Sequence, residues 1–547
     1  VGAKPPRFEK NICIKSEDFM LTYFVIVPLV VAIFLYLFPF ERLAKIIAVL
    51  FKFALFGASL YLLYQINLYG TIVETVGLYE DSLGVVLRAD TLSGVFIMLT
   101  TFMFLVVDIY NFKDNPGRLF GLLFFVWQSM ILGLFLTSDF FNVFVLMEVA
   151  TLTVTVMILF NQKKRSMYDG LVYLMIGFAG IQFYLFGIGY LYRSLGVLEM
   201  QSIAVAAREL DPSQLILPYA LIMSFIALKC ALLPLFSWLP KAHSTPGASP
   251  GVSAVLSGLH IKTGVYLFVR FQDVFYEVSS STLFLVIGLA TAVVGIILAL
   301  SERNIKRILA YSTMAQVGLI IAGFSIGGEY NSIGSIYHMV NHAIFKAALF
   351  LGVGVIAYSY GTKDIYKIQG VLKKMPFVGI VIIFAILGII GMPAFNGSIS
   401  KYFLMYDIDP ILNAIMVVIN LGTIMVFIKF STIFKGVPAG EVTPERDLFK
   451  YSALAVLGAL CLIFGVFGQS ILRSLLDVHI TIDLMGYLEK SAIFAASLGV
   501  GYLLHSRIIR DRVGNLGLQN RLDLGFRGMC AGIGVFFVLV LVAANFS

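Results

Sequence analysis

Of 547 residues, 59% are hydrophobic and only 13% are charged, and Lys and Arg exceed Asp and Glu to give a formal net charge of +8. A soluble domain carries about a quarter charged residues, so the composition excludes a water-soluble enzyme and makes lipid the solvent. In such a chain a basic excess reports orientation rather than nucleic-acid binding.

A span needs roughly 20 apolar residues, and such runs recur along nearly the whole chain. After a polar, basic tail over 1–20, which holds Lys4, Arg7, Lys10 and Lys15, the pattern predicts helices near 21–40, 43–67, 90–111, 117–137, 139–160, 168–192, 215–239 and 247–271. Eight more are predicted near 281–301, 305–326, 331–359, 375–406, 410–434, 449–471, 486–505 and 526–546. The fold class is therefore an all-α integral membrane protein with about 14 to 16 spans, located in the cell membrane. The first run lacks a small-residue cleavage site and reads as a helix rather than a cleaved signal. Polar alternation around Gly70, Gly77 and Gly84 predicts a short hairpin over 68–89, and 197–209 reads as an amphipathic surface helix.

Alternate connections sort by charge. One set holds Arg42, Lys45, Lys113, Arg118, Lys163, Lys164, Arg165, Arg303, Lys306, Arg307, Lys373, Lys374, Arg510 and Arg512, and is predicted to face the cytoplasm. The other set is acidic, with Glu74, Glu80, Asp81, Glu199, Asp211, Glu329, Asp407 and Asp409, which puts both termini outside.

A charge at the bilayer centre costs at least ~2.5–3.5 kcal/mol, so an ionisable residue inside a span is a functional hypothesis. Glu148, Lys229, Lys262 and Lys401 all fall within predicted spans. His338, His342 and Lys346 share one helix at spacing four, which stacks them on one slowly turning face. A lysine suits ion transfer because burial disfavours its charge while a nearby carboxylate restores it. Glu148 and Lys229, each near mid-span, are predicted to form such a pair. Helix breakers accompany the lysines: Pro234 follows Lys229, and Gly391, Pro393 and Gly397 precede Lys401. Broken helices in lipid are tolerated where they line a wet cavity or an ion site.

At these residues the sequence resembles the antiporter-like subunits shared by respiratory complex I, Mrp-type cation/proton antiporters, and membrane-bound hydrogenases with their sulfane-reductase relatives. The resemblance rests on WLPKAHS (238–244), VSAVLSGLHIKTGVY (252–266), NIKRILAYSTMAQVG (304–318), YHMVNHAIFKAALFLGVG (337–354) and GIIGMPAFNGSISKY (388–402). It implies two inverted five-helix repeats, 113–272 and 280–435, flanked by membrane helices over 21–112 and 436–547. It also implies an essential Glu148–Lys229 pair, a connecting Lys262, a continuing axis of His338, His342 and Lys346, and a terminal Lys401. Ala394 stands where the family often has a second proline.

The resemblance further implies proton or sodium transport as one subunit of an ion-pumping assembly, with other membrane subunits and peripheral redox subunits as partners. The four cysteines form no CxxC pair, and no phosphate loop or nucleophile triad is present. No cofactor and no catalysis are therefore expected in this chain. The rival reading is a self-contained transporter for a small solute, which also uses inverted repeats and broken helices. A row of titratable groups spread over many helices fits ion hopping better than one midplane substrate site.

Overall fold

The computed structural model describes residues 13–15, 20–76, 84–114, 117–438, 441–478, 481–509 and 522–546. The expectations for Lys4, Arg7, Lys10, Glu80, Asp81, Arg510 and Arg512 lie outside the described residues.

The chain is an all-α membrane protein, and each predicted span falls on a helix or on a pair of half-helices. In chain order these are α1 (Tyr23–Leu37), α2 (Glu41–Tyr69), α3 (Thr91–Tyr110), α4 (Arg118–Leu136), α5 (Phe140–Leu159) and α6 (Lys164–Leu195). A short α7 (Met200–Ala206) matches the predicted surface helix. Then come α8 (Pro212–Lys229), α9 (Trp238–Ser244), α10 (Pro250–Val255) and α11 (Ile261–Val274). The second half holds α12 (Ser281–Ser301), α13 (Ile305–Ile326), α14 (Glu329–Tyr360), α15 (Val371–Lys374), α16 (Pro376–Ile390), α17 (Asn396–Leu404) and α18 (Pro410–Phe430). The last helices are α19 (Leu448–Val466), α20 (Gly468–Leu476), α21 (Leu484–Leu504) and α22 (Phe526–Asn545). Among the described residues, thirteen helices are long and apolar enough to cross a membrane.

Helix starts are written in the sequence. Asp211, Ser249 and Asp409 each cap a helix whose first residue is proline, so the side-chain oxygen takes an orphan amide and proline supplies none. The predicted hairpin is present as β2 (Thr71–Val76) paired antiparallel with β3 (Val85–Ala89). Within the tail, β1 (Cys13–Lys15) adds a parallel third strand. Helix α14 runs through the middle and is buried along almost its whole length, whereas α1, α2 and α22 are largely exposed at the periphery.

Polar contacts link connections within each charge set. On the basic face, Lys45 donates to the Asp114 carbonyl at 2.8 Å, Arg118 to the Pro39 carbonyl at 2.7 Å, and Arg303 pairs with Asp364 at 3.2 Å. On the acidic face, Thr22 donates to Glu74 at 2.6 Å, Ser138 to Glu199 at 2.7 Å, and Asn331 to the Leu404 and Tyr406 carbonyls. Positive charge predicts that the first face lies toward the cytoplasm.

Asp90 starts α3 with a reciprocal Ser93 capping box and an Arg270 ion pair at 2.6 Å. Burial alone would push its carboxyl up, but the Arg270 guanidinium and the Ser93 amide outweigh it and hold the group down at about 2. A carboxyl depressed on folding stabilises fully above its unfolded value near 3.8, and that contribution disappears as pH falls through about 2. The shift corresponds to roughly 2–3 kcal/mol. The melting temperature of the purified protein is therefore expected to drop between pH 4 and 2, and Asp90→Asn to be less stable at pH 7 with a shallower acid slope. An unchanged slope in the variant would remove Asp90 from this role.

Candidate functional site

The helix carrying Lys229 breaks earlier than its proline suggests. Helix α8 ends at Lys229 itself, Ala231 takes a left-handed conformation (φ 51°), and α9 resumes at Trp238, so Pro234 lies inside the break rather than at its start. Lys229 thus sits at the C-terminal, partially negative end of a half-helix, which favours an ammonium. Its Nζ donates to Thr151 Oγ1 at 2.6 Å. The expected ion pair with Glu148 is not formed: Glu148 lies one turn before Thr151 on α5, half-buried, and the lysine meets Thr151 instead.

The second break repeats this backbone design. Ala231, Leu232 and Leu235 donate their amides to Leu228, Ala227 and Leu232, and at one constant offset in numbering Gly391, Met392 and Phe395 donate to Gly388, Leu387 and Met392. Gly391 (φ 84°) stands where Ala231 does, and Ala394 is also left-handed (φ 68°), so the break before Lys401 forms without a second proline. Gly397, expected among the breakers, instead lies in the first turn of α17. A Cβ there would fall 1.9 Å from the Gly388 carbonyl oxygen, so this glycine permits close backbone approach. Lys401 reaches back across the break, donating to the Ile389 carbonyl and to Asn420 Oδ1, both at 2.7 Å.

Between the breaks runs a file of buried cations and imidazoles. A π-helical turn, Leu256–His260, precedes α11, and such widened turns often mark functional positions. Lys262 follows it, donating to the Ser257 carbonyl at 2.7 Å and hydrogen-bonding His342 Nδ1. The rings of His342 and His338 lie 6.5 Å apart. His338 contacts Ser400 Oγ and Gln316 Oε1, each at 2.9 Å, which fits a neutral ring accepting from the serine and donating to the amide. Ser400 adjoins Lys401. Lys346 turns aside, donating to Ser312 Oγ and to the Leu309 carbonyl at 2.9 Å.

The structure therefore brings Lys262, His342, His338 and Lys401 into one line, places Lys346 on a branch toward α13, and leaves Glu148 at the edge. It adds residues not named from sequence. His260 accepts from Trp127 Nε1 at 3.3 Å and contacts the Tyr173 hydroxyl at 3.1 Å, all three side chains being buried. Thr151, Gln316, Ser400 and Asn420 are the hydroxyl and amide links. Apart from the file, Lys52 forms a buried pair with Asp108 at 2.6 Å beneath the rings of Phe124 and Phe125. Both charges lie within predicted spans, so intramembrane charge was a signal that marked them too. Beside Lys401 a cavity of about 230 Å³ opens, lined by Lys401, Asn420, Asp407, Asp483, Glu489 and Lys490. Among the described residues no cluster of three or more His, Cys, Asp or Glu is placed to hold a metal ion.

A polytopic membrane protein with two broken helices and a polar file between them belongs to the class of ion-conducting secondary transporters and pump subunits. Residues 137–429, more than half of the chain, match the family described as NADH:quinone oxidoreductase/Mrp antiporter, TM, and the chain belongs to that family. It is 29% identical over 473 residues to a Na(+)/H(+) antiporter subunit of Alkalihalophilus pseudofirmus, covering 83% of this chain and 95% of the relative. It is 31% identical over 425 residues to an NADH-quinone oxidoreductase subunit of Desulforudis audaxviator, covering 72% and 84%. The fold is shared with a chain of the Mrp complex from Dietzia sp. (TM-score 0.78, 22% identity, 88% of this chain and 99% of that one). It is shared also with a chain of the archaeal membrane-bound sulfane sulfur reductase (0.76, 22%, 88% and 99%) and one of respiratory complex I from Thermus thermophilus (0.73, 21%, 88% and 100%).

Proposed function

We propose that this chain moves protons across the cytoplasmic membrane as an antiporter-like subunit of a multisubunit complex of the Mrp, sulfane-reductase or complex I kind, with the energy-supplying chemistry in partner chains. The observation that carries the reading is the file itself: Lys262, His342, His338 and Lys401, with Lys229 at the first break, are all buried, and their nearest hydrogen-bond partners are neutral. Ammonium and imidazole groups release and take up protons, whereas sodium calls for oxygen ligands such as unwound carbonyls. Segments 113–272 and 280–435 are read as two half-channels of opposite orientation, a reading supported by the matching backbone of the two breaks.

Lys262 is the link between the half-channels, because its ammonium bonds both the π-turn of the first, at the Ser257 carbonyl, and His342 on α14 of the second. Lys262→Ala is expected to lower proton transport about a hundredfold in proteoliposomes carrying the whole complex, read with a pH-sensitive dye. Normal dye response, or loss of sodium uptake with proton movement intact, would overturn the reading.

A further inference from the structure

We propose that Lys241 is a second proton-exchanging group, the cytoplasmic-face counterpart of Lys401, and that Asp523 caps it. The proposal rests on the proton-transport reading above. The offset that aligns the backbone of the two breaks, Ala231 with Gly391 and Leu235 with Phe395, also aligns Lys241 with Lys401, each on the half-helix beyond its break. The two lysines lie toward opposite faces. Lys401 opens to a cavity bordered by Asp407, in the acidic outer connection. Lys241 is one turn from Ser244, which accepts from Arg307 of the basic face at 3.1 Å.

The side chain of Lys241 is only 11% exposed, and its Nζ lies 2.8 Å from Asp523 Oδ1 and 3.0 Å from the Leu524 carbonyl oxygen. Asp523 is 39% exposed, so its carboxylate touches both the aqueous medium and the buried ammonium. The same strand of chain is pinned to the half-helix by the Leu524 amide, which donates to Ser237 Oγ at 3.0 Å. The cap is thus supplied by the connection before α22, outside both breaks. Other charges face this space. Asp169 of α6 feels Lys241 and pairs with Arg165 at 3.7 Å, and Arg307 of α13 lies 3.6 Å from Glu302.

Inward from Lys241, Trp238 of the same half-helix packs on Tyr173 at 5.4 Å, and the Tyr173 hydroxyl reaches His260 at 3.1 Å. His260 ends the π-turn two residues before Lys262, so this aromatic wall, whose Trp238 indole donates to the Leu228 carbonyl at 2.9 Å, runs from the half-helix of Lys241 to the edge of the file described above. In one exchange the Lys241 ammonium gives a proton to the Asp523 carboxylate, leaving an amine and a carboxylic acid, and Asp523 returns it to cytoplasmic water. The reverse sequence loads the site.

The test uses the assembled complex in proteoliposomes with Lys241→Cys, Asp523→Asn and Lys229→Ala. Lys241→Cys is expected to lose about a hundredfold in proton transport. It should recover substantially when 2-aminoethyl methanethiosulfonate on the cytoplasmic side restores an amine, and not with the neutral methyl reagent; the wild type treated in parallel controls for its own cysteines. Asp523→Asn is expected to shift the dependence of transport on cytoplasmic-side pH and to leave the outer-side dependence unchanged. Full activity of Lys241→Cys beside a dead Lys229→Ala overturns the role of Lys241 alone. So does a loss that neither reagent reverses, or that both reverse equally. Normal transport in both variants would instead overturn the transport reading beneath it.

Discussion

Lys229→Ala and Glu148→Gln are each expected to abolish coupled proton transport, by about a hundredfold or more, while the complex still assembles. Lys229 ends a half-helix, where the backbone dipole favours its charge, yet its one hydrogen-bond partner is the neutral Thr151 hydroxyl. A buried ammonium without a bound carboxylate is held only weakly, because desolvation opposes the charge. Glu148, one turn from Thr151 and half-buried, forms no ion pair that would lock the lysine. A small rotation of α5 that brings Glu148 closer favours the charged lysine, and withdrawal favours the amine. Removing either partner removes that dependence. Thr151→Val, which takes away a single hydrogen bond worth about 1 kcal/mol, is expected to slow transport by a much smaller factor. Dye-monitored transport and co-purification of the partner chains read these outcomes, and a Glu148→Gln complex that transports at the normal rate would leave Lys229 without its proposed switch.

The positions of the helices were legible because each is an apolar run closed by charge, Gly or Pro. What sequence could not show was rotation about the helix axis. Helix α5 is apolar nearly all round, so nothing in its pattern says that Thr151 rather than Glu148 meets Lys229. The stripe on α14 illustrates the same limit in reverse. Four residues advance a helix by about 400°, so each step turns the side chain some 40°. By Lys346 the face has therefore moved off the line of His338 and His342 and toward α13. The two breaks also differ in visibility. Gly391 announces a left-handed residue, whereas Ala231 adopts one with no signature, and α8 accordingly ends earlier than its apolar run suggests. His260 stands within the run Val252–Tyr266, but its partners Trp127 and Tyr173 arrive from α4 and α6, and such long-range contacts leave no local trace.

Lys401→Ala is expected to stop proton transport, and Lys401→Arg to impair it severely despite keeping the charge. The argument begins with access. Lys401 sits beside the break between α16 and α17, at the wall of a cavity of about 230 Å³ whose other lining groups include Asp407, Asp483 and Glu489, so water and protons approach it from the acidic face. Inward, Ser400 on the same helix turn meets His338, so the lysine stands between the cavity and the file. Its ammonium is held by two neutral oxygens, Ile389 O and Asn420 Oδ1, and by no carboxylate within ion-pair distance among the described residues. Such a site releases its proton when the local potential rises modestly. One charge crossing 100 mV represents about 2.3 kcal/mol, and a change of two units in proton affinity, about 2.7 kcal/mol, matches it. A proton arriving on His338 or Lys262 supplies positive charge of the right sign, because like charges disfavour the ammonium. Alanine removes the carrier. Arginine keeps the charge and fills the space, but its guanidinium does not give up a proton in a protein. The two variants together therefore separate carrying from fixed charge: transport lost in both is the expected result, and full transport in the arginine variant would reduce Lys401 to an electrostatic fixture and end its assignment as a gate.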